Sequence, residues 1–368
     1  MKSTMKKLKV AWITGDYFID VDFLLVPYMK EHYREEFEIS WLVIKSANSN
    51  IQISEGLDCE VVSLKHRNKD PRVIGEYHSI IKRFSKSADI IYSDFVGAPF
   101  YYPVILHTVK NTPIVHAAHN VIPYPVWPRM LRVYVKYIFK HNKFFQLFSK
   151  FTAEYFSEHY PNKSYFYCPM TLKGYGEVST DNYKIDPSKL NLLFFGNVVY
   201  NKRLDLLIQA VKDLPDQVKK RVHLTIAGKC DNPQPYLEQI AGNTSISVFF
   251  KRIDDCEVAE LFTKHDFLVL PYQDVAQSGP HMIAYYYDLP VIASDIDGFK
   301  ERVIDGENGL LFKNKSVEDL RDRIMKAADM TIEERSEMKR KLKEFSEENF
   351  SLSKVSGKYI KYFKSITL

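Results

Sequence analysis

The sequence predicts an α/β fold made of two doubly wound, Rossmann-like domains that face each other across a cleft. In the first half of the chain, apolar strand segments alternate with helical segments, and a second series of the same kind begins at residue 191. Such alternation is typical of parallel sheets covered by helices. The length of 368 residues suits two domains, each large enough to bury its own core.

The first half contains six segments with the apolar character of buried strands. They are residues 9–15, 37–45, 59–65, 89–94, 113–119 and 144–149. Helical segments such as 71–87 and 100–110 separate most of them, so the sheet should be mainly parallel. Residues 1–170 are therefore predicted to form the N-terminal domain.

A polar segment, residues 171–190, is interrupted by Gly and Pro and has no hydrophobic period, which predicts a linker. The second domain is predicted over 191–352. The tail after residue 331 reads as two helices with a break near 349–353. In the last helix, Val355, Tyr359 and Phe363 recur at helical spacing, so they can pack on one face.

The composition is that of a globular protein, with 45% hydrophobic and 26% charged residues. A net charge of +5 does not indicate nucleic acid, but clustered basic residues can favour anionic substrates or a lipid surface. The four cysteines form no CxxC pair, so no metal site is expected. Without a signal-peptide core or an apolar stretch of about 20 residues, the protein is expected to be cytoplasmic, at most peripheral on the membrane face.

The strand that ends at Gly196 is followed by polar and basic residues that open the next helix: Asn197, Lys202 and Arg203. A helix start offers unpaired N–H groups and partial positive charge, and a basic side chain adds to both. This pattern favours a diphosphate site, with Lys202 as its clamp. The alternative is a solvated helix start.

A second element follows the strand at 266–272 and consists of Gln277, Ser278, Gly279 and Pro280. Gly permits close approach of the backbone, Pro suits a first helical turn, and the Ser hydroxyl can bond a phosphate oxygen. The alternative is that these residues only cap a helix.

The order and spacing of these pieces, together with a final DGFKERVIDGENGLLF segment (297–312), resemble the C-terminal half of family 4 glycosyltransferases. These are retaining enzymes with the GT-B fold. The resemblance implies that residues 191–352 bind a nucleotide-sugar donor and that residues 1–170 bind the acceptor. It also implies that the last helix, about 353–368, packs back on the N-terminal domain.

In the family motif an Arg directly follows the strand-end Gly, and a Lys comes a few residues later. Lys202 fits the Lys, whereas Asn197 stands at the Arg position, so Arg203 is expected to supply the missing charge. The family commonly carries two glutamates near the second element, where this chain has Val275 and Ile283. It therefore resembles a subset without that pair.

Three further residues are implied as donor contacts. Asp274 is expected to bind a sugar hydroxyl in place of a missing glutamate, with a plain surface Asp as the alternative. Arg252 and Ile253 lie in the loop that holds the nucleobase in similar enzymes. In that loop, Asp254 or Asp255 is expected to cap the following helix.

In the first half, His119 resembles the family's histidine that faces the donor sugar, and His116 is interpreted as a core histidine. Gly15 and Asp16 end the first strand and are expected on the acceptor side, with a simple tight turn as the alternative. The resemblance implies front-face transfer, in which His119, Lys202 and Arg203 stabilise the transition state and no metal is required.

Residues 128–153 carry six basic and no acidic side chains, with interleaved aromatics that include the adjacent Trp127. Such a face suits anionic lipid headgroups or a lipid-diphosphate acceptor. A solvated helix over an apolar core is the alternative.

The leading hypothesis is a glycosyltransferase that moves a hexose from a nucleotide-sugar to a glycan or lipid-linked oligosaccharide acceptor, in the synthesis of a surface polysaccharide. Two alternatives stay open. One is an inactive glycosyltransferase-like binding or scaffold protein, because the glutamate pair is missing. The other is a nucleotide-sugar epimerase of the same fold.

Overall fold

The computed structural model describes residues 7–49, 51, 53, 56–122, 128–275 and 277–367, so Trp127 lies outside it. The chain forms two compact units. The first contains Met1–Thr171 together with Leu352–Leu368, and the second contains Leu172–Ser351.

The first unit is built on a sheet in which the described residues contribute seven strands, in the order β3-β2-β1-β4-β5-β6-β7. The strands are β1 (Leu8–Gly15), β2 (Phe37–Lys45), β3 (Glu60–Ser63), β4 (Ile90–Asp94), β5 (Ile114–Ala118), β6 (Phe144–Leu147) and β7 (Ser164–Tyr167). Every pairing is parallel, as the sequence predicts. Strand β7 is not predicted from the sequence, because this edge strand is short and half-buried and shows no apolar alternation.

The helices of the first unit connect these strands. They are α1 (Ile19–Asp22), α2 (Leu25–His32), α3 (Val73–Phe84), α4 (Tyr101–Thr108), α5 (Arg129–His141) and α6 (Lys150–His159). Their apolar faces and the buried strand residues form two core clusters, one on each side of the sheet.

The second unit repeats this plan with six parallel strands among the described residues, in the order β10-β9-β8-β11-β12-β13. The strands are β8 (Leu190–Phe195), β9 (Val222–Ala227), β10 (Ile246–Phe249), β11 (Phe267–Leu270), β12 (Val291–Ser294) and β13 (Gly309–Phe312). The helices are α7 (Leu204–Lys212), α8 (Asp216–Lys219), α9 (Gln234–Ile240), α10 (Asp255–Lys264), α11 (Gly279–Tyr286), α12 (Asp297–Lys300), α13 (Val317–Asp329) and α14 (Ile332–Phe350).

In each sheet the strand order reverses beside the first strand, between β1 and β4 and between β8 and β11. Ligands of such folds gather at the carboxyl ends of the strands near this reversal. The ends of β1, β4, β8 and β11 are therefore where site residues should lie.

The tail breaks at Ser351, within the predicted interval, and the last helix, α15 (Leu352–Thr367), belongs to the first unit. Its Tyr359 and Phe363 are buried against Trp12 and Tyr92. The Tyr359 hydroxyl donates to Gln146 Oε1 at 2.8 Å. The sequence suggests this apolar stripe, and the structure shows what it covers.

Residues 171–190, which the sequence predicts as a linker, contain no helix before β8, and most of them belong to the second unit. Two buried glutamates of α10, Glu257 and Glu260, hold this segment. Glu260 accepts hydrogen bonds from the backbone N–H groups of Asn182 and Tyr183 at 2.9 and 2.7 Å. Sequence patterns do not reveal this attachment, because its partners are about 75 residues apart.

None of the helices in the described ranges combines the length and the apolar character that crossing a bilayer requires.

Candidate functional site

The carboxyl ends of β8 and β9 come unusually close together at two glycines. Gly196 follows β8 with φ of 100°, and Gly228 follows β9 with φ of 154°. A Cβ atom on Gly228 would lie 2.1 Å from the carbonyl oxygen of Gly196. Both positions therefore require glycine, and the strand ends present bare backbone at the edge where a ligand is expected.

Lys202 is placed directly beside this backbone. It ends a 3-10 turn (Tyr200–Lys202), and its Nζ lies 2.9 Å from the point where a Cβ on Gly196 would stand. The Pro280 ring is 3.6 Å from the same point, and the ring centroid of Tyr272 is 5.3 Å from Nζ. The structure thus brings together two of the predicted elements, the end of β8 and the start of α11.

The ammonium of Lys202 carries a charge that its surroundings do not neutralise. In the described part of the chain, no carboxylate lies within the salt-bridge distance of 4.0 Å from its Nζ. Burial lowers its pKa from 10.5 to about 8. A desolvated cation without a counter-ion is typical of a site that binds an anion.

The start of α11 adds to this positive potential. Ser278 is buried and serves as the N-cap, since its side chain accepts a bond from the His281 N–H at 3.4 Å. The Ser278 hydroxyl is therefore engaged in capping, as the alternative interpretation of this element predicts. Gly279 is exposed, and the helix dipole and first-turn N–H groups remain as the anion-binding features of this element. Gln277 precedes the cap and is half-buried.

Arg203 is arranged differently from the prediction that it supplies a missing charge. Its backbone adopts a left-handed conformation, with φ of 49°, and its guanidinium forms a bidentate pair with Asp205. The Nη2–Oδ2 distance is 2.8 Å. The pair is neutral as a whole, because the side chain turns back along its own helix. Asn197 is exposed at the carboxyl end of β8.

The remaining donor candidates lie at the surface of the second unit. Arg252 is exposed and Ile253 is half-buried in the loop before α10. Asp254 caps α10 in a capping box with Glu257, which confirms the capping prediction for this loop. Asp274 is exposed, and its backbone carbonyl accepts a bond from Asn201 Nδ2 at 3.2 Å.

In the first unit, the two candidate acceptor residues have clear structural partners. A Cβ atom on Gly15 would lie 2.6 Å from the Phe95 ring, so glycine is required there for packing. Asp16 is buried and accepts hydrogen bonds from the N–H and hydroxyl of Ser46, at 3.0 and 3.3 Å. Asp16 thus ties the end of β1 to the end of β2.

His119 follows β5 and lies in a well-defined aromatic slot. Its ring is stacked between Phe18, at 4.1 Å, and Phe148, at 4.3 Å. Its Nε2 is 2.8 Å from Asp94 Oδ1, and its side chain is 11% exposed. The imidazole is therefore held at a fixed orientation with an edge that solvent can reach.

His116, by contrast, belongs to the core, as the sequence reading proposes. It is hydrogen-bonded to the Tyr102 hydroxyl and is fully enclosed. Burial lowers its pKa to about 3, so it is neutral at physiological pH.

Two acidic residues of this region were not found from the sequence. Asp94 ends β4, and Asp22 ends α1; both are buried. Burial, and secondarily the charge of Asp94, raises the pKa of Asp22 to about 8. Asp94 could have been found, since it ends a central strand beside the reversal of strand order. Asp22 gives no such signal, because its burial depends on where α1 packs.

The basic stretch at 128–153 forms α5, β6 and the start of α6. Most of its aromatic residues face inward, and the predicted aromatic face is wrong for the four that are buried: Tyr134, Phe139, Phe145 and Phe148. The exposed side of α5 carries basic residues together with Met130 and Val133, the latter 60% exposed. The strand β6 divides the stretch, which is why its aromatics enter the core.

The described residues contain no group of three or more His, Cys, Asp or Glu side chains that could hold a metal ion.

Comparison with known proteins shows a family to which most of the second unit is similar. Residues 177–345 match the family model of glycosyl transferases group 1. This part of the chain is similar to group 1 glycosyl transferases. It contains Gly196, Lys202 and the 277–280 element, so the anion-binding features described above all lie within the matched residues.

A curated relative also matches part of the chain. An uncharacterised glycosyltransferase of Methanocaldococcus jannaschii is 29% identical over 185 residues, which are 49% of this chain and 46% of that protein. The chain thus matches about half of the length of this relative.

Two solved structures resemble the whole fold. HepE of Anabaena, in complex with UDP and glucose, has a TM-score of 0.71 at 14% identity, covering 97% of this chain and 100% of that one. WaaG, a glycosyltransferase involved in lipopolysaccharide biosynthesis, has a TM-score of 0.66 at 16% identity, covering 96% and 99%. The fold is therefore that of GT-B proteins, with two parallel-sheet, Rossmann-like domains, as the sequence predicts.

The close approach at Gly228 provides a test of the strand ends in the second unit. We expect Gly228→Ala to lower the free energy of unfolding by at least about 2 kcal/mol, because the added methyl would overlap the Gly196 carbonyl and force the strands apart. Gly242→Ala is the matched control: it has φ of 77° but open space around its Cβ, so it should cost about 1 kcal/mol. Chemical denaturation of both variants measures the difference. Equal losses would show that the close approach does not constrain these strands.

Proposed function

We propose that this protein is a retaining glycosyltransferase that transfers a hexose from a nucleotide-sugar to a glycan acceptor during surface polysaccharide synthesis. The observation that carries the proposal is the unneutralised ammonium of Lys202 beside Gly196 and the start of α11. A diphosphate matches this arrangement, since it needs positive charge, backbone N–H groups and room for close approach.

The acceptor and the pathway are supported by similarity alone. HepE was crystallised with UDP and glucose, and WaaG acts in lipopolysaccharide biosynthesis. Both facts concern those proteins; they favour a UDP-hexose as the first donor to test here and a surface glycan or its lipid-linked precursor as the acceptor.

The proposed transfer proceeds on one face of the sugar. The bond between the anomeric carbon and the diphosphate oxygen breaks, the acceptor hydroxyl oxygen bonds the same carbon, and its proton passes to the departing phosphate. Lys202 and the α11 dipole stabilise the negative charge that develops on the leaving group. With these groups supplying the positive charge, we propose that the reaction requires no bound metal.

The contribution of the first unit is proposed to come from His119. Its fixed, partly exposed imidazole suits a hydrogen bond to a sugar hydroxyl. Arg203 has a smaller role in this proposal than the sequence suggests, because Asp205 already compensates its charge. Peripheral membrane contact through the exposed basic side of α5 is proposed as the means of reaching a lipid-linked acceptor.

The test is a thermal-shift and hydrolysis screen against UDP-, GDP-, ADP- and CMP-linked sugars. A ligand that binds the folded state raises the melting temperature, so the correct donor should stabilise the protein and release its nucleotide slowly. Binding without release or transfer would favour the scaffold alternative, and conversion of the donor to an epimer would favour the epimerase. No response to any donor would contradict the proposal.

A further inference from the structure

Asp22 is an acid deep in the core of the first unit, and it forms no ion pair with the described residues. It is completely buried in the cluster that contains Trp12, Tyr92 and Phe148. Its Oδ2 accepts hydrogen bonds from Trp12 Nε1 at 2.9 Å and from Thr14 Oγ1 at 2.6 Å. Its Oδ1, equally buried, has no hydrogen-bond partner among the residues that the structure describes. Oδ2 is therefore the acceptor atom, and Oδ1 is the atom left for a proton.

Asp94 shows the complementary arrangement. Its Oδ1 is bonded to His119 Nε2, while its Oδ2 is buried and has no hydrogen-bond partner in the described part of the chain. Each of the two acids thus has one engaged oxygen and one orphaned oxygen.

The sheet register brings the two acids to the same place. Thr14 of β1 is the register partner of Asp94 on β4, so both side chains lie on one face of the sheet. Thr14 also donates to Asp22, which α1 lays over that face. Trp41 Nε1 donates to Thr14 Oγ1 at 3.0 Å and so fixes the hydroxyl in its donating direction.

Two neighbouring carboxylates in an apolar core do not both ionise, because burial and mutual repulsion each penalise the second charge. Among the described residues, the other titratable groups near the pair are His119 and the hydroxyls of Tyr92, Tyr102 and Tyr359. The Tyr102 hydroxyl is bonded to His116, and those of Tyr92 and Tyr359 donate to Gln146 Oε1, at 2.6 and 2.8 Å. These tyrosine hydroxyls therefore do not bond Asp22 Oδ1 or Asp94 Oδ2.

We propose that Asp22 and Asp94 share one proton, which Asp22 Oδ1 donates to Asp94 Oδ2, and that this acid pair positions His119 with its own proton on Nε2. One proton then satisfies both orphaned oxygens, and the pair carries a single negative charge next to the imidazole. Asp22 and Phe18 both belong to the α1 region, so this short helix aligns the histidine through a stacked ring and through the acid pair. The role of the pair in sugar transfer rests on the proposed function, whereas the position of the protons does not.

The first experiment is infrared difference spectroscopy of the substrate-free full chain at neutral pH. We expect a protonated carboxyl C=O band in the wild type that is absent from Asp22→Asn. Asp70→Asn is the control: this half-buried carboxylate is bonded to Arg72, which holds its pKa at about 2, and its loss should leave the band unchanged. Absence of the band from the wild type, or its persistence in Asp22→Asn, would overturn the proposal.

The second experiment reads the tautomer of His119 by ¹⁵N NMR, with His119→Gln to assign its signals. Asp22→Asn should keep the Nε2–H tautomer, because the new amide can donate to Asp94 as the acid does. Asp94→Asn should lose that preference. Asp22→Val should disturb it, because valine cannot donate a hydrogen bond to Asp94 Oδ2. A tautomer that is the same in all three variants would refute the positioning role, even if the protein proves to have no transferase activity.

The third experiment separates proton sharing from folding defects. Because the pKa of Asp22 is raised in the folded state to about 8, the folded protein holds a proton that the unfolded chain releases above about pH 4. As the pH rises from 5 to 8, the melting temperature of the wild type should therefore fall relative to that of Asp22→Asn. The fluorescence of Trp12 and Trp41 monitors the melting. Parallel curves for the two proteins would contradict a shared proton.

Discussion

Replacing Lys202 by Met is expected to weaken binding of the donor's nucleotide diphosphate by roughly 10- to 100-fold. A hydrogen bond to a charged group contributes about 1.5–3 kcal/mol, which corresponds to that range of affinity. Methionine keeps the length and apolar stem of the side chain, and it removes the ammonium that lies over the Tyr272 ring. Isothermal titration with UDP, and with the donor found in the screen, measures the loss.

The same variant should be at least as stable as the wild type. Burial of Lys202 lowers its pKa to about 8, which means that folding at neutral pH holds a partly desolvated charge that no described carboxylate pairs with. Removing the charge removes that penalty. A variant that loses affinity while keeping or raising its melting temperature would thus identify Lys202 as a residue retained for binding.

Affinity should also depend on pH in the wild type alone. Lys202 loses its proton as the pH rises through about 8, so the apparent Kd for UDP should increase above that pH. Lys202→Met should show no such trend. Lys220→Met is the matched control: Lys220 is exposed and precedes β9, at the opposite edge of the same sheet. Loss of affinity in the control, or unchanged affinity in Lys202→Met, would place the diphosphate elsewhere.

The largest loss of stability is expected from Glu260→Ala, at about 3–5 kcal/mol for the second unit. Glu260 is fully buried on α10 and accepts bonds from Thr180 Oγ1, two backbone N–H groups and Lys264 Nζ. Truncation leaves the donors of a buried network unsatisfied, which is among the most costly kinds of substitution. Residues 180–183 should then detach from α10.

Glu260 should also make the second unit sensitive to acid. Burial alone would raise its pKa, but the hydrogen bonds from Lys264, Thr180 and the two backbone N–H groups lower it to about 2. Since an unfolded glutamate titrates near about 4.3, the contribution of Glu260 is complete above that pH and is lost as the pH falls towards 2. The shift corresponds to about 3 kcal/mol. Glu260→Ala should lack this part of the acid transition.

Hydrogen exchange of peptides that cover 178–186 is the appropriate measurement. The tryptophans, at positions 12, 41 and 127, precede the second unit, so their fluorescence does not report on it. The amides of Asn182 and Tyr183 should exchange much faster in Glu260→Ala. Glu318→Ala is the control, because Glu318 is exposed in the first turn of α13. Unchanged protection of both amides would show that Glu260 does not hold this segment.

The sequence predicts much of the architecture because buried parallel strands leave a strong local signal. Strand β2 has the predicted bounds, the break before α15 falls within its predicted interval, and the capping box at Asp254 is readable from the residues alone. In these cases the residues that form a feature are neighbours in the chain. Lys202 was found for the same reason, since it follows a strand end that carries its own glycine.

Features that depend on distant partners could not be predicted in this way. Arg203 was expected to bind a phosphate, yet its side chain pairs with Asp205 once the backbone turns left-handed before α7. The aromatics around β6 were expected at the surface, yet the strand carries them into the core. Local composition is the same in either arrangement, so only the packing distinguishes them.

The sequence by itself thus determined the fold class, the strand ends that bear glycine, and the lysine beside them, because periodicity and spacing along the chain specify these features. The tertiary structure alone decided which charges are neutralised. Within the described ranges, no carboxylate pairs with Lys202, whereas Asp205 pairs with Arg203, and Asp22 lies near Asp94, which is bonded to His119. Charge and proton positions depend on burial and on distances between residues far apart in the chain, and folding alone sets both quantities.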